Sequence, residues 1–118
     1  MEPVLKRGTI WHVDLPPPEG SEPGDIHPVL ILQRNDFTRT GIRTVIGALI
    51  TSNMMRGRDP GNVEISPEDS GLAENSVVNV SQIVTFDKSF ALERIGKLQD
   101  AKMVEVEQGL RLWLGLAQ

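Results

Sequence analysis

The sequence predicts a small, mainly β protein with helices, of the α+β class. Several short runs either alternate between apolar and polar residues or consist of aliphatic and β-branched residues, as strands do. Proline, glycine and polar stretches separate these runs, and the C-terminus has the spacing of an amphipathic helix. We therefore expect five or so short strands in a curled antiparallel sheet or barrel, closed by one terminal helix. The 118 residues fit one domain, residues 1–118.

The first predicted strand covers residues 8–15. Trp11 and Val13 alternate with His12 and Asp14, which is the period of two that a half-buried strand requires. Because His12 stands in the middle of this strand, we interpret it as a side chain facing solvent or a second layer, without a role in a site.

A long exposed loop is predicted from Pro16 to Ile26. Three consecutive prolines end the first strand, and the following stretch is acidic and has no periodicity. Loops of this length are uncommon in compact domains and often form lids or binding segments. Glu22 lies in this loop.

Two central strands are predicted at residues 28–33 and 44–50, since both runs are aliphatic and are bounded by polar residues. We expect them to pair antiparallel across the short connection 34–43.

Shorter elements follow a second loop. Residues 62–66 alternate as a short strand, and Ser66 and Pro67 then provide an N-cap and a first helical residue for one turn that ends at Gly71. The apolar residues of 76–87 cannot all face one way, so we expect a strand that contains a bend or bulge.

The C-terminal helix is predicted from Asp100, as its N-cap, to the end of the chain. Gly109 inside it lowers helix stability by about 1 kcal/mol relative to alanine, so packing on the sheet must hold the helix. Its apolar stripe consists of Met103, Val106, Leu110, Trp113, Leu114 and Ala117.

Charge is unevenly distributed along the chain. The net charge of −4 and the pI of about 5.1 argue weakly against a nucleic-acid partner. Residues 27–58, however, carry five basic residues and one acidic residue. This block could bind phosphate, although charge alone favours a solvated loop with scattered arginines. Its basic residues are Arg34, Arg39, Arg43, Arg56 and Arg58.

Composition excludes several classes of function. With no cysteine, the chain has no disulfide, thiol nucleophile or cysteine-ligated zinc, and its two histidines are too few for a dedicated metal site. No metal and no other cofactor is therefore expected. No apolar run approaches the roughly 20 residues of a membrane span, and the N-terminus lacks the pattern of a signal peptide, so we expect no membrane contact and a cytoplasmic location.

One polar constellation stands at predicted strand ends. His27 directly precedes the second strand, and Thr51 to Asn53 directly follow the third, so antiparallel pairing brings them to the same end of the sheet. An imidazole and a hydroxyl there suit metal-free transesterification of RNA, in which a base takes the proton of a 2′-hydroxyl that attacks the adjacent phosphate. The alternative is an ordinary loop histidine and an ordinary strand threonine.

Seven segments, in order, resemble the MazF/PemK toxins of bacterial toxin–antitoxin pairs. They are RGTIWHVDL (7–15), GSEPGDIHPVLILQRND (20–36), TVIGALITSN (44–53), GNVEI (61–65), SGL (70–72), ENSVVNVSQIVTFDK (74–88) and IGKL (95–98). The resemblance implies an SH3-like β-barrel with appended helices, of the PemK/CcdB-like type. It also implies a homodimer and a sequence-selective, metal-independent endoribonuclease acting on single-stranded mRNA and restrained by a cognate antitoxin.

The resemblance also implies the catalytic pair. The family commonly has an arginine directly before the proline of the second strand and a threonine after the third. Here Thr51 matches the threonine, but His27 stands in place of the arginine. Histidine is the better base at neutral pH, whereas a neutral imidazole lacks the permanent charge that a guanidinium offers to the transition state. Arg34, Arg43 or Arg56 could supply that charge.

Further RNA contacts are expected from the same resemblance. The loop at 16–26 matches the family's segment that covers the RNA groove, and Glu22 matches a polar position in it. We expect Ser52 and Asn53 to assist Thr51, and the arginines of the middle block to bind the RNA backbone. The strand expected to line the groove carries three polar side chains that could read base edges, namely Asn79, Ser81 and Gln82.

Two other functions remain possible on this sequence. The related gyrase-poisoning toxins share the fold but act on a protein, since fold alone does not determine function. A decayed toxin that binds RNA without cutting it is the second alternative, suggested by His27 and the negative net charge. The retention of Thr51 to Asn53 favours cleavage.

Overall fold

In the computed structural model, which describes residues 3–16, 20 and 25–117, six strands form one antiparallel sheet. The strands are β1 (Thr9–Leu15), β2 (Asp25–Ile31), β3 (Thr44–Thr51), β4 (Val63–Ile65), β5 (Ser76–Asp87) and β6 (Ala91–Lys97). Their order across the sheet is β4-β5-β3-β2-β1-β6. The helices are α1 (Asn35–Thr38), α2 (Pro67–Ser70) and α3 (Asp100–Leu114). The predicted mainly β fold, a curled antiparallel sheet with a C-terminal helix, is confirmed.

The sheet buries apolar side chains on both faces, because successive side chains of each strand point to opposite sides. One core cluster lies between the sheet and α3 and consists of Ile10, Leu30, Ala48, Ile50, Val63, Ile65, Val78, Val80, Leu98, Met103 and Val106. The other lies on the opposite face and consists of Leu5, Trp11, Val13, Leu15, Val29, Ile31, Val45, Leu49 and Phe86. The two faces together fix the register of β1, β2 and β3.

The edge strands β4 and β6 are not paired, and α2 closes the gap between them. Ser66 caps α2 by accepting from the backbone N–H of Asp69, whose carboxylate accepts in return from the backbone N–H of Ser66. Gly71 ends the turn in the left-handed conformation with φ of 81°, as predicted. The backbone of α2 lies so close to β6 that a Cβ added at Gly96 would stand 2.3 Å from the carbonyl oxygen of Ser70.

The bulge predicted in the long strand is present in β5. Ala48 pairs with Ile83, but the next residue of β3, Leu49, pairs with Asn79. Residues 80–82 therefore bulge out of the ladder. The backbone N–H of Val80 donates instead to Asn62 Oδ1 at 2.9 Å, so the bulge leaves this buried donor satisfied.

Several predicted boundaries were wrong. β2 begins at Asp25, three residues before the predicted start, because residues 25–30 all pair with β1. His27 therefore lies inside β2, and the connection between β1 and β2 ends at residue 24, before the predicted end at Ile26. Asp25 enters the strand with a φ of 65°. Most of the predicted loop, including Glu22, lies outside the described residues.

The C-terminal helix also differs from its prediction. Gln99, not Asp100, occupies the N-cap position, and Gly115 ends the helix with φ of 68°. The first half of the predicted stripe is buried, whereas Trp113, Leu114 and Ala117 are exposed. The indole N–H of Trp113 donates to the carbonyl oxygen of Pro60, which ties the end of the helix to the loop before β4.

Candidate active site

Two clefts open at the end of the sheet where β2 begins and β3 ends. The first has a volume of about 660 Å³ and the second of about 430 Å³. His27, Ile50 and Thr51 line both of them. The fold therefore brings His27 and Thr51 to the same end of the sheet, as the sequence predicts. Their catalytic role stays a prediction.

The register of β2 and β3 explains this meeting. Val29 pairs with Leu49, Leu30 with Ala48 and Ile31 with Gly47. Continuing the same register by two residues from the Val29 pair sets His27 opposite Thr51. His27 is half-buried, so its imidazole combines a fixed position in a strand with access to solvent.

Thr51 is held by the turn that follows it. The backbone N–H of Asn53 donates to Thr51 Oγ1 at 3.1 Å, and the Asn53 side chain in turn accepts from the backbone N–H of Met55 at 3.2 Å. Asn53 thereby caps the short 3₁₀ turn Met54–Arg58. Thr51 Oγ1 accepts the bond from Asn53 through a lone pair, and its own O–H can still donate to a ligand.

The second cleft is polar and includes all three of the predicted base-reading side chains. The bulge in β5 brings Asn79, Ser81 and Gln82 into its wall. Asn79 donates to Gln82 Oε1 at 3.2 Å and accepts from Ser81 Oγ at 2.7 Å. These three side chains are therefore ordered by one another before any ligand arrives.

The predicted arginines do not lie together. Arg56 lines the second cleft, where its guanidinium pairs with Asp59 at 3.1 Å. Arg34 follows the C-terminal end of β2, and Arg43 precedes the N-terminal end of β3. Neither of them lines a cleft. Arg34 pairs with Asp36 at 2.9 Å, and Arg43 pairs with Asp87 at 3.2 Å. Both therefore lie at the far end of the sheet from His27 and Thr51.

One side chain that positions Arg56 escaped prediction. Asn62 donates from Nδ2 to the carbonyl oxygen of Arg56 at 2.9 Å while its Oδ1 accepts from Val80. It thus joins the 3₁₀ turn to the bulge, and so fixes both walls of the second cleft. No sequence pattern marks an asparagine for this role, since both of its partners are backbone groups.

The first cleft contains groups that sequence reasoning missed. Ser52 lines it as expected, but so do His12, Glu93 and Arg94. Glu93 and Arg94 lie on β6, a strand without clean alternation that was not predicted. For His12, the available sequence signal was the alternation of β1, which places it on the opposite face from Trp11.

In the described part of the chain, no cluster of three or more histidine, aspartate and glutamate side chains could hold a metal ion. Nor is any helix within those residues long and apolar enough to cross a membrane.

The fold defines the class of this protein. It is shared with a solved endoribonuclease from Mycobacterial species, with a TM-score of 0.79, 24% identity and coverage of 100% of this chain and 98% of the other. A second structure, an endoribonuclease in complex with its cognate antitoxin from Mycobacterial species, gives a TM-score of 0.77 at 26% identity and covers 96% and 97% of the two chains. The likeness to these structures places the chain in a class of small antiparallel β proteins.

Sequence comparison identifies the family. The model of the PemK-like, MazF-like toxins of type II toxin–antitoxin systems matches residues 6–114. Endoribonuclease MazF2 of Mycobacterium bovis is 41% identical over 113 residues, which are 96% of this chain and 99% of the relative. The chain therefore belongs to the PemK/MazF toxin family, as the seven resembling segments predict.

Proposed function

We propose that this chain is the endoribonuclease toxin of a type II toxin–antitoxin pair, which cleaves single-stranded mRNA selectively by sequence and without a metal. Its family and the endoribonuclease activity named for its relatives support the proposal. The observation that carries it is that His27 and Thr51, from neighbouring strands, line both clefts. We call the wall common to the two clefts, formed by His27, Ile50 and Thr51, the shared edge.

The proposed reaction is attack of a 2′-hydroxyl on the adjacent phosphate. His27 takes the proton of that hydroxyl, the 2′-oxygen bonds to phosphorus, the bond to the 5′-oxygen breaks, and the departing 5′-oxygen takes up a proton from solvent. The products are a 2′,3′-cyclic phosphate and a 5′-hydroxyl. Thr51 donates its O–H to a non-bridging phosphate oxygen, because Oγ1 already accepts from the backbone of Asn53. Ser52, which lines the first cleft, assists in the same way.

Positive charge for the transition state comes from arginines beside the pair. A neutral His27 offers no permanent charge, so another cation is needed near the phosphate. Arg56 in the second cleft and Arg94 in the first lie on either side of the shared edge. Both are exposed, so they can follow the flexible RNA backbone.

Sequence selectivity is assigned to the second cleft. Single-stranded RNA is read through splayed bases that hydrogen-bond on their edges. The amides and hydroxyl of Asn79, Ser81 and Gln82, together with Asn53, offer both donors and acceptors at fixed positions. Bases on one side of the cut would then be read there, while the phosphate lies at the shared edge.

Partners follow from the same proposal. The antitoxin seen with the related endoribonuclease leads us to propose a cognate antitoxin for this chain. We further propose that it acts as a homodimer, and in the cytoplasm, where its mRNA substrate is found.

The proposal is tested by incubating the purified protein with RNA of mixed sequence in excess chelator and mapping the cut sites. We expect cuts at a restricted set of sequences, lost in both His27→Ala and Thr51→Ala. Thr85→Ala, an exposed threonine of β5 outside both clefts, is the matched control and should cut normally. Cutting retained by His27→Ala would assign the base elsewhere. Intact RNA with inhibited DNA supercoiling would instead indicate a gyrase-directed toxin.

A further inference from the structure

Hydrogen bonds within the second cleft occupy the oxygens of its amide side chains. Asn53 Oδ1 accepts from the backbone N–H of Met55 at 3.2 Å. Asn79 Oδ1 accepts from both the backbone N–H and the hydroxyl of Ser81, at 3.3 and 2.7 Å. Gln82 Oε1 accepts from Asn79 Nδ2 at 3.2 Å. All of these amide oxygens therefore already have a partner.

Backbone donors fix the orientation of these amides. Because a backbone N–H can only donate, the atom of Asn53 that faces Met55 and the atom of Asn79 that faces Ser81 must be oxygens. Asn79 then turns its nitrogen to Gln82, which must present its oxygen in return. Among the described residues, nothing accepts a hydrogen bond from Asn53 Nδ2 or Gln82 Nε2. These two nitrogens are free to donate to a ligand.

The other polar groups of the second cleft add donors more than acceptors. Arg56 lines the cleft, and a guanidinium has donors but no acceptor. No aspartate or glutamate in the described part of the chain lines it. The acceptors that remain are the Ser81 hydroxyl oxygen and single lone pairs on Asn53 Oδ1 and Gln82 Oε1. Free donors therefore outnumber free acceptors.

We propose that the second cleft selects a base with a keto oxygen, uracil or guanine, next to the cut, and that Gln82 sets this preference; this inference rests on the proposed function. Uracil O4 and guanine O6 are acceptors, whereas cytosine N4 and adenine N6 are amino groups that donate. Gln82 Nε2 can donate to the keto oxygen but not to an amino group. The base lies next to the cut because His27 and Thr51 line the same cleft.

The same hydrogen bonds disfavour the amino bases. An amide can read adenine by accepting from N6 while it donates to N7, which requires a free oxygen beside the free nitrogen. Gln82 Oε1 is engaged by Asn79, and Asn79 Oδ1 is engaged twice by Ser81. An amino group placed against Gln82 Nε2 would leave both donors without an acceptor, and unpaired polar groups give strong discrimination between ligands. Gln82 is half-buried, so water replaces the missing acceptor poorly.

The experiment measures base preference at the cut once a cut sequence is mapped. The two bases that flank the cut are each replaced in turn by uracil, guanine, cytosine and adenine, and kcat/KM is measured for each oligoribonucleotide. The keto preference is the ratio of the better value for uracil or guanine to the better value for cytosine or adenine. The separate uracil and guanine values show which of these two bases is bound.

Two variants change the free group of Gln82. Gln82→Glu keeps the shape of the side chain and the acceptor for Asn79, but replaces the free nitrogen by an oxygen that accepts. Gln82→Met has a similar length and no N–H donor. Gln108→Glu adds the same charge at an exposed position of α3 outside both clefts, and is the matched control. Circular dichroism and melting temperature verify that each variant folds.

We expect the wild-type protein to prefer a keto base at one flanking position by about 10- to 100-fold. Gln82→Met should remove most of this preference. Gln82→Glu should reverse it, because the new oxygen accepts from the amino group of cytosine or adenine. The added charge also repels RNA and slows cleavage of every substrate, which cancels in the ratio. Gln108→Glu should keep the wild-type preference.

Two results would overturn the inference. One is a wild-type protein that prefers cytosine or adenine, or shows no preference, at both flanking positions. The other is a keto preference that stays the same in Gln82→Met and Gln82→Glu. Both results include cleavage, so the proposed function would stand without the inference. If the wild-type protein cuts no mixed-sequence RNA, the proposed function itself fails, and the inference fails with it.

Discussion

His27 and Thr51 line the same two clefts from positions two residues beyond the Val29–Leu49 pair, the last pair of the ladder between β2 and β3. The two residues are 24 positions apart along the chain, and the antiparallel pairing of β2 and β3 brings them together. Because both strands are anchored in the core, the two side chains should act on one phosphate as a unit.

The first prediction concerns this unit. If His27 and Thr51 serve the same step, the double variant His27→Ala/Thr51→Ala should be no slower than the slower single variant, since groups that act together are not additive. Each single variant should lose about 10²-fold or more in kcat/KM. Single-turnover rates on a mapped RNA measure this directly. Multiplicative losses would indicate two independent roles.

The second prediction restores the residue common in the family. In His27→Arg, cleavage should persist at a reduced rate, because the guanidinium supplies permanent positive charge to the transition state but is a poorer base than imidazole. Values of kcat/KM for wild type, His27→Arg and His27→Ala on the mapped RNA provide the measurement. Activity in His27→Arg as low as in His27→Ala would show that this position requires an imidazole.

The third prediction separates the arginines by position. Arg56 lines a cleft, whereas Arg34 is paired with Asp36 at the other end of the sheet and lies over the Phe37 ring, 5.4 Å from its centre. In a Thr51→Ala background, Arg56→Gln should weaken RNA binding and reduce the slope of log affinity against log salt by about 0.7.

Arg34→Gln is the matched control and should change neither the affinity nor the salt slope. Equal effects of the two arginine variants would show that RNA crosses the whole sheet and does not stay at the His27 edge. Fluorescence anisotropy over a series of salt concentrations distinguishes the two results.

Much of the fold could be predicted because the buried strands have a recognisable apolar sequence pattern. The strands at residues 28–33 and 44–50 lie in the centre of the sheet, so they read as aliphatic runs. β6 (Ala91–Lys97) lies at the edge and is mostly exposed, so its residues carry no periodic signal. α1 (Asn35–Thr38) is a single turn whose hydrogen bonds are local, and no apolar stripe marks it.

The site was predictable only in part for the same reason. Antiparallel pairing of two recognisable strands was enough to bring His27 and Thr51 together. The contact of His12 Nδ1 with Glu93 Oε1, at 3.0 Å, depends instead on the pairing of β1 with β6, and no local pattern predicts β6. Without β6, His12 had no visible partner.

The fourth prediction concerns the capping box of α2. The backbone N–H of Ser66 donates to the Asp69 carboxylate and, with the Ser66 hydroxyl, lowers the pKa of that carboxyl below its ordinary 3.8. A lowered pKa in the folded state stabilises the fold above the pKa of the unfolded chain. This stabilisation is lost as pH falls through the folded value.

Asp69→Asn should therefore lower the free energy of unfolding at about pH 7, and should have less effect at about pH 2.5, where the wild-type carboxyl is protonated. Ser66→Ala, which removes the N-cap, should lower it by about 1 kcal/mol. Urea unfolding at both pH values measures the change. Glu68→Gln alters charge on the same turn outside the capping box, and a pH response as large as that of Asp69→Asn would refute the assignment.

The last prediction concerns Gly109 in α3. A Cβ at this position would lie 2.1 Å from the carbonyl oxygen of Gly61, which the fold cannot accommodate without moving the helix away from the loop before β4. Alanine is the better helix former by about 1 kcal/mol, so helix propensity alone predicts that Gly109→Ala stabilises the protein. The backbone contact predicts the reverse, a destabilisation of about 1–3 kcal/mol.

The exposed neighbour Gln108→Ala tests propensity without the contact and should be neutral or stabilising. Melting temperatures that fall for Gly109→Ala but not for Gln108→Ala would show that close approach, and not propensity, selects glycine here, whereas stabilisation by both would refute it.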